Sequence, residues 1–244
     1  MAAVRHDSFY LAEKWPSEPK EFFKFLGGLA LSTVPNATSI LDVGCATGEF
    51  LRYVATLYPK ASLSGLDIRP EFAERARTLL PSMAFSVGDI ESGKGLPDSK
   101  FDLVFMSGFN QYFSDFRPWL RNVRALTRGV AYVFGVFNPE DVDVYTTVRR
   151  SQGGDPVEWN MISHKSIRAF LDCEQARHRF IDWSIPVANP RKHADPMRSW
   201  TVSTDEGFLV VSGMQSIQRF AALEILGDGF NEIVPKSGSA LRLR

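Results

Sequence analysis

Cysteine, histidine and net charge are all scarce in this chain of 244 residues. Its two cysteines, Cys45 and Cys173, are too few for a disulfide framework and lack metal-ligand spacing. Two also exclude the three-cysteine ligation of a radical-type iron–sulfur centre. Lys plus Arg and Asp plus Glu both number 28, so the formal charge is zero. That balance argues against a nucleic-acid binder and a polybasic membrane-surface protein, which both carry a basic excess. It leaves room for a local basic pocket. The longest apolar-rich run, Gly129 to Phe137, is far below the ~18 residues that span a bilayer. Met1 to Lys24 has no apolar run of the signal-peptide kind. The expected compartment is the cytoplasm, with no membrane partner.

What is present is a globular composition, 44% hydrophobic and 23% charged. No repeat or linker divides the chain, so we read residues 1–244 as a single domain in three parts. These are an N-terminal helical lid (1–38), a ligand-binding core (39–137), and a stretch completing the sheet and inserting on the acceptor side (138–244). Short apolar runs predict strands at Ser39–Val43, Ser62–Asp67, Ala84–Gly88, Phe101–Ser107 and Val130–Val136. Helical periodicity predicts helices at Pro19–Leu31, Glu49–Leu57, Pro70–Leu80, Pro118–Leu126 and Ser163–Asp172. Strand–helix alternation of this kind gives an α/β fold with a doubly wound parallel sheet. Phe180–Ile185 reads as a further strand, and Trp200–Ser203 with Phe208–Val211 as a C-terminal β-hairpin insertion. Ile217–Ile225 has helical spacing, but we assign it as a strand completing the sheet.

The first strand runs into Asp42-Val43-Gly44-Cys45-Ala46-Thr47-Gly48, and a helix follows at Glu49. Glycines four apart between a strand and a helix let a ligand approach the backbone and the free N–H groups of the helix start. A dinucleotide fingerprint needs Gly-x-Gly-x-x-Gly, whereas Ala46 and Glu49 stand at its second and third glycine positions. Glu49 would repel a pyrophosphate but not a sulfonium. Asp67 ends the second strand, followed by Ile68; a carboxylate there can accept from ribose hydroxyls or cap the next helix. The third strand ends in Gly88-Asp89-Ile90, where Asp89 can accept from an adenine amino group and the Ile90 amide can meet a ring nitrogen.

These three signals in this order resemble the class I S-adenosylmethionine-dependent methyltransferase family. The resemblance covers about Ser39 to Phe137 and departs at Ala46, where glycine is commoner. It implies a mostly parallel seven-stranded sheet with a reversed last strand and helices on both faces, and S-adenosylmethionine as methyl donor without a metal. Asp42, Gly44, Cys45, Ala46 and Gly48 would then hold the methionine end, Asp67 and Ile68 the ribose, and Gly88, Asp89 and Ile90 the adenine. The fourth-strand exit, Ser107 to Phe113, would lie near the transferred methyl, with Ser107 on the donor. Tyr112 falls where small-molecule members often have histidine. Tyr10, with Phe9 and Trp15, would belong to a lid over the donor.

Methyl transfer needs in-line positioning and, for a hydroxyl acceptor, a base. Base candidates are His164, which starts the helix after Trp159 and Asn160, and His193, with Tyr112 near the reacting groups. Asn110 and Gln111 fit either a solvated turn or contact with the acceptor. Trp159, Asn160 and Arg191 are further acceptor-side candidates, since Arg191-Lys192-His193 is the clearest basic concentration and could bind an anionic group. The expected activity is O-methylation of a small-molecule or saccharide hydroxyl. The rivals are an acceptor on protein or RNA, and a binding protein that senses the donor. Nothing in the sequence decides between a monomer and a homodimer.

Overall fold

A computed structural model describes residues 10–11, 15–148, 157–186, 200–202, 209–211 and 217–233. The chain builds a seven-stranded sheet in the order β3-β2-β1-β4-β5-β11-β8. Its members are β1 (Ser39–Val43), β2 (Ser62–Asp67), β3 (Ala84–Val87), β4 (Phe101–Ser107), β5 (Thr127–Gly135), β8 (His178–Pro186) and β11 (Ile217–Leu226). β1 to β5 pair in parallel, while β11 is antiparallel to both β5 and β8. The reversed strand is therefore β11, and Ile217–Ile225 is a strand as assigned from sequence.

Helices α1 (Glu21–Thr33), α2 (Glu49–Leu57), α3 (Pro70–Leu79), α4 (Phe116–Leu126) and α5 (His164–Cys173) cover the sheet, with a single turn, α6, at Phe230–Ile233. Two cores lie on its two faces. α1, α2 and α3 bury Leu26, Leu51 and Ala76 against Ile40, Phe105 and Tyr132. α4 and α5 bury Trp119, Leu120 and Ile167 against Leu41, Val104 and Val133. Strands covered on both faces must be apolar on successive residues, which is why β4 and β5 read as continuous hydrophobic runs. Two short pairs, β6 (Thr147–Val148) with β7 (Val157–Glu158) and β9 (Trp200–Val202) with β10 (Leu209–Val211), are antiparallel. The second is the expected hairpin.

Boundaries differ where a cap or a bulge outweighs the local pattern. α4 starts at Phe116, not Pro118, because the Asp115 side chain accepts from the Arg117 amide and caps the helix two residues earlier. β5 starts at Thr127, directly after α4. Thr127 pairs with Phe101 across an irregularity that a hydrophobic run cannot reveal. Among the described residues, no helix is long and apolar enough to cross a membrane.

Candidate active site

The glycine turn sits at the carboxyl end of β1, where β2 continues the order on one side and β4 on the other. This is the switch point at which open α/β sheets bind ligands. Gly44, Ala46 and Gly48 have φ of +71°, +46° and +92°. Glycine tolerates this region freely, while alanine pays a steric cost there. Ala46 is held by a specific bond: its amide donates to Asp67 Oδ2 at 2.8 Å. The other Asp67 oxygen accepts from the Arg69 amide at 2.9 Å. Asp67 thus fastens the turn to the next helix start. A carboxylate oxygen has two acceptor directions, so Asp67 keeps capacity for a ligand hydroxyl. Burial raises its pKa, against the lowering effect of those two amides and of Arg69.

Asp42 is 2% exposed, and its Oδ1 has no hydrogen-bond partner. Burial, reinforced by Asp67, pushes its pKa well up. Glu49 opens α2 with one oxygen paired to Lys20 and the other, Oε1, buried without a partner. The turn therefore presents two unpartnered acid oxygens. Burial likewise raises the Cys45 thiol, with Asp42 and Asp67 adding to it. Cys45 is therefore a protonated, packed side chain.

Ile68 and Val87 stand exposed at the ends of β2 and β3, at 38% and 40%. Both stand beside Asp67: Ile68 follows it in the chain and Val87 is its register partner on β3. Ile68 was legible in the sequence; Val87 was not, because its strand gives no sign of which residue stays exposed. Beside Gly88, the Asp89 carboxylate accepts from the Glu91 amide and the Ser92 hydroxyl, both at 2.9 Å. It too has acceptor directions to spare. The Ile90 side chain is buried, and its carbonyl accepts from Asn122 at 2.7 Å.

At the β4 exit, Ser107 is half-buried, and the Phe109 ring lies against Gly44. A Cβ added to Gly44 would stand 2.2 Å from that ring. Asn110 and Gln111 lie in a 3-10 turn with Tyr112 and are buried, not solvated. Asn110 donates to the Val136 carbonyl at 2.9 Å and Gln111 to the Gly108 carbonyl at 3.0 Å. Tyr112 meets Trp159 edge-to-face at 5.5 Å. Asn160 donates to Phe113 O and accepts from the Thr146 amide, so it ties the 157–163 segment to the exit turn.

His164 donates through its amide to the Asn138 carbonyl at 2.8 Å, just past the end of β5. Its ring stacks on Phe180 at 3.8 Å and meets Phe137 at 6.3 Å, within the α4–α5 face. Burial lowers its pKa, opposed by Asp182 and aided by Arg168. It is a neutral imidazole packed between apolar rings, and none of these contacts joins it to the glycine turn. His193 and Arg191 lie outside the described residues, as does Phe9.

The N-terminal segment crosses the turn. The Trp15 indole N–H donates to Thr47 Oγ1 at 3.3 Å, and Arg52 packs over the Trp15 ring while donating to the Pro16 carbonyl. Lys20 reaches Glu49. Tyr10 packs on Phe72 of α3, 5.5 Å between centroids. Sequence reasoning missed the Lys20–Glu49 pair, because nothing local links residues 29 apart.

A family model described as a methyltransferase domain matches residues 40–129. A malonyl-[acyl-carrier protein] O-methyltransferase of Ilyobacter polytropus is 35% identical over 80 residues, 32% of this chain and 29% of that protein. A trans-aconitate 2-methyltransferase of Escherichia coli is 31% identical over 87 residues, 36% of this chain and 34% of that protein. The chain thus spans about a third of the length of these curated relatives. A solved S-adenosylmethionine-dependent methyltransferase of Clostridium acetobutylicum superposes with a TM-score of 0.57 at 13% identity, over 91% of this chain and 96% of that one. The sugar N-methyltransferase KedS8 of a Streptoalloteichus species gives 0.53 at 18% identity, over 74% and 87%. At such identities the structures attest the fold.

Proposed function

With residues 40–129 a methyltransferase domain of the class I, seven-stranded kind, we propose that this protein uses S-adenosylmethionine to methylate a hydroxyl of a small molecule or saccharide. One observation carries this function: the buried, unpartnered Asp42 oxygen precedes a turn with an opened backbone, and Asp67 flanks that turn with acceptor capacity to spare. The cofactor fits these groups. Its ammonium and sulfonium charges suit Asp42 and Glu49, its ribose hydroxyls suit Asp67, and its adenine suits the exposed apolar side chains of Ile68 and Val87 and the Asp89 carboxylate. When bound, S-adenosylmethionine supplies a methyl group on an already activated sulfonium leaving group.

The chain's own work is then positioning and water exclusion. Asp67 holds the turn through Ala46, and the Trp15–Thr47 and Lys20–Glu49 contacts draw the N-terminal segment over it. The hydroxyl must lose its proton as the new C–O bond forms. His164 is our candidate among the described residues, because its amide is held at the Asn138 carbonyl just past the carboxyl end of β5, and burial lowers its pKa and favours the neutral, accepting ring. A base role predicts a loss of about 10²–10⁴-fold in His164→Ala. A loss within a few-fold would assign the ring to packing on Phe180.

The names of the two curated relatives favour a second acceptor class, a small carboxylate, since malonyl and aconitate groups both carry one. The fold neighbour KedS8, a sugar N-methyltransferase, is in keeping with a saccharide. The deciding experiment measures S-adenosylhomocysteine release across sugars, phosphosugars, phenols and di- and tricarboxylic acids. Release with one class names the acceptor. No release with any member, despite donor binding, would overturn the catalytic proposal in favour of a donor-sensing role. Calorimetric titration should show one donor site per chain, lost in Asp67→Ala. Unchanged affinity in that variant would sink the ribose assignment.

A further inference from the structure

The β4 exit carries an arrangement that donor binding does not account for. The three atoms nearest to a Cβ built on Gly44 all belong to the Phe109 ring, at 2.2, 2.7 and 2.9 Å. The ring therefore occupies the side of Gly44 left bare by its missing side chain. A ligand that comes close to this backbone needs the same space.

Phe109 follows a hinge. Gly108 has φ +81°, is exposed, and has no heavy atom within 4 Å of the place where a Cβ would stand. Its amide is anchored to the Phe134 carbonyl at 2.8 Å, so rotation at Gly108 moves the residues after it and leaves β4 in place.

The turn beyond the hinge is incompletely satisfied in this position. Asn110 and Gln111 each spend their amide N–H on a backbone carbonyl, and both side-chain oxygens, Asn110 Oδ1 and Gln111 Oε1, are buried without a hydrogen-bond partner. Native interiors rarely leave such groups unpaired, and two in consecutive residues need an explanation. A second position of the turn that hydrates or pairs them supplies one, and narrows the free-energy gap between the two positions.

We propose that the exit turn from Gly108 to Tyr112 is a gate on the donor site, with Phe109 as the blocking ring and Gly108 as the hinge. In the closed position Phe109 covers Gly44. In the open position the ring leaves Gly44 to the methionine end of the donor. Because the same turn continues to the acceptor side through Tyr112 and Asn160, donor entry also reshapes the acceptor wall. The inference rests on the donor reading of the glycine turn.

The test is the binding kinetics of S-adenosylhomocysteine to the full chain, measured by stopped-flow fluorescence beside calorimetry. A closed gate reduces apparent affinity by the fraction of open chains, so an open population of about one in ten predicts up to ~10-fold tighter binding in Phe109→Ala. The gain should appear as faster association. Phe109→Leu should be intermediate, and it serves as the test if Phe109→Ala does not fold. Gly108→Ala, strained at positive φ but unobstructed, should slow the exchange between positions and hence association. Weaker binding of Phe109→Ala at unchanged association would make the ring a wall of the site and overturn the gate alone. No binding to the wild-type chain would overturn the donor reading, and the gate with it.

Discussion

Asp42→Asn should make this protein more stable and worse at its work. The carboxylate is 2% exposed and has one oxygen without a partner. Burial raises its pKa well above the ordinary value, and Asp67 adds to that. The folded chain therefore holds this proton more tightly than the unfolded chain. Stability linked to Asp42 is fully present below the unfolded pKa and is lost as pH rises through the folded one. At neutral pH this buried acid therefore costs the folded chain stability, and an amide of the same shape removes the ionisable group while keeping the volume. An unsatisfied buried polar group costs about 1–3 kcal/mol, more if it must ionise, so removing the ionisable group should return ~1–2 kcal/mol. For a chain of this size that is a rise of about 2–8 °C in Tm. Two readouts are needed. Calorimetry at pH 7 should show the higher Tm, and the difference should shrink on acidification, where the wild-type side chain is itself neutral. Titration with S-adenosylmethionine should show weaker binding, because the amide offers the donor's positive groups no counter-charge. A lower Tm at neutral pH, or a difference that does not close in acid, would refute the electrostatic reasoning. Unchanged donor affinity would remove Asp42 from the site.

Asp102 should behave in the opposite sense. Burial disfavours its charge, but the Thr38 hydroxyl and amide and the Arg128 guanidinium outweigh burial and hold its pKa below the usual value. Its contribution is present above the unfolded pKa and is lost as pH falls through the folded one. Asp102→Ala should cost about 1–3 kcal/mol in urea unfolding at neutral pH, chiefly by leaving the Thr38 donors unpaired while the half-exposed Arg128 hydrates, and a loss under ~1 kcal/mol would show the Thr38 donors hydrated as well. Gly135→Ala would drive a methyl to 1.6 Å from Asn110 Oδ1, an overpacking expected to cost about 1–3 kcal/mol. Asn110→Ala in the same chain should recover part of that loss, and strict additivity of the two changes would disprove the contact. Ala46→Gly relieves a side chain at φ +46°, so thermal melts should show a gain of up to ~1 kcal/mol. A loss would mean that chain entropy outweighs the strain.

The sheet core was legible because its signals are local. β1, β2 and β4 match the expected bounds residue for residue, since apolar runs between turn residues mark buried parallel strands. The Gly44–Gly48 turn and the acids ending β1 and β2 were equally plain, each lying where a strand stops. The start of α4 was missed although its signal is local: Asp115, a helix-capping residue type, stands directly before it. The exit turn was harder. Asn110 and Gln111 look solvated by composition, yet both are buried: Asn110 donates to the Val136 carbonyl, brought near by the pairing of β4 with β5, and Gln111 to the Gly108 carbonyl three residues back.

By itself, the sequence determined which residues form the strands, where the backbone can open to a ligand, and which carboxylates end β1, β2 and the strand that follows. These depend on a residue and its near neighbours, through side-chain volume, φ preference and hydrophobic period. Only the tertiary structure decided how the carboxylates are used. Asp67 fastens Ala46, Asp42 is left unpartnered, Lys20 reaches across to Glu49, and Phe109 stands against Gly44. It also set the His164 ring on Phe180. The physical reason is common to all of these. Burial and partnership are properties of the space between elements, and that space exists only once the strands have taken their order in the sheet.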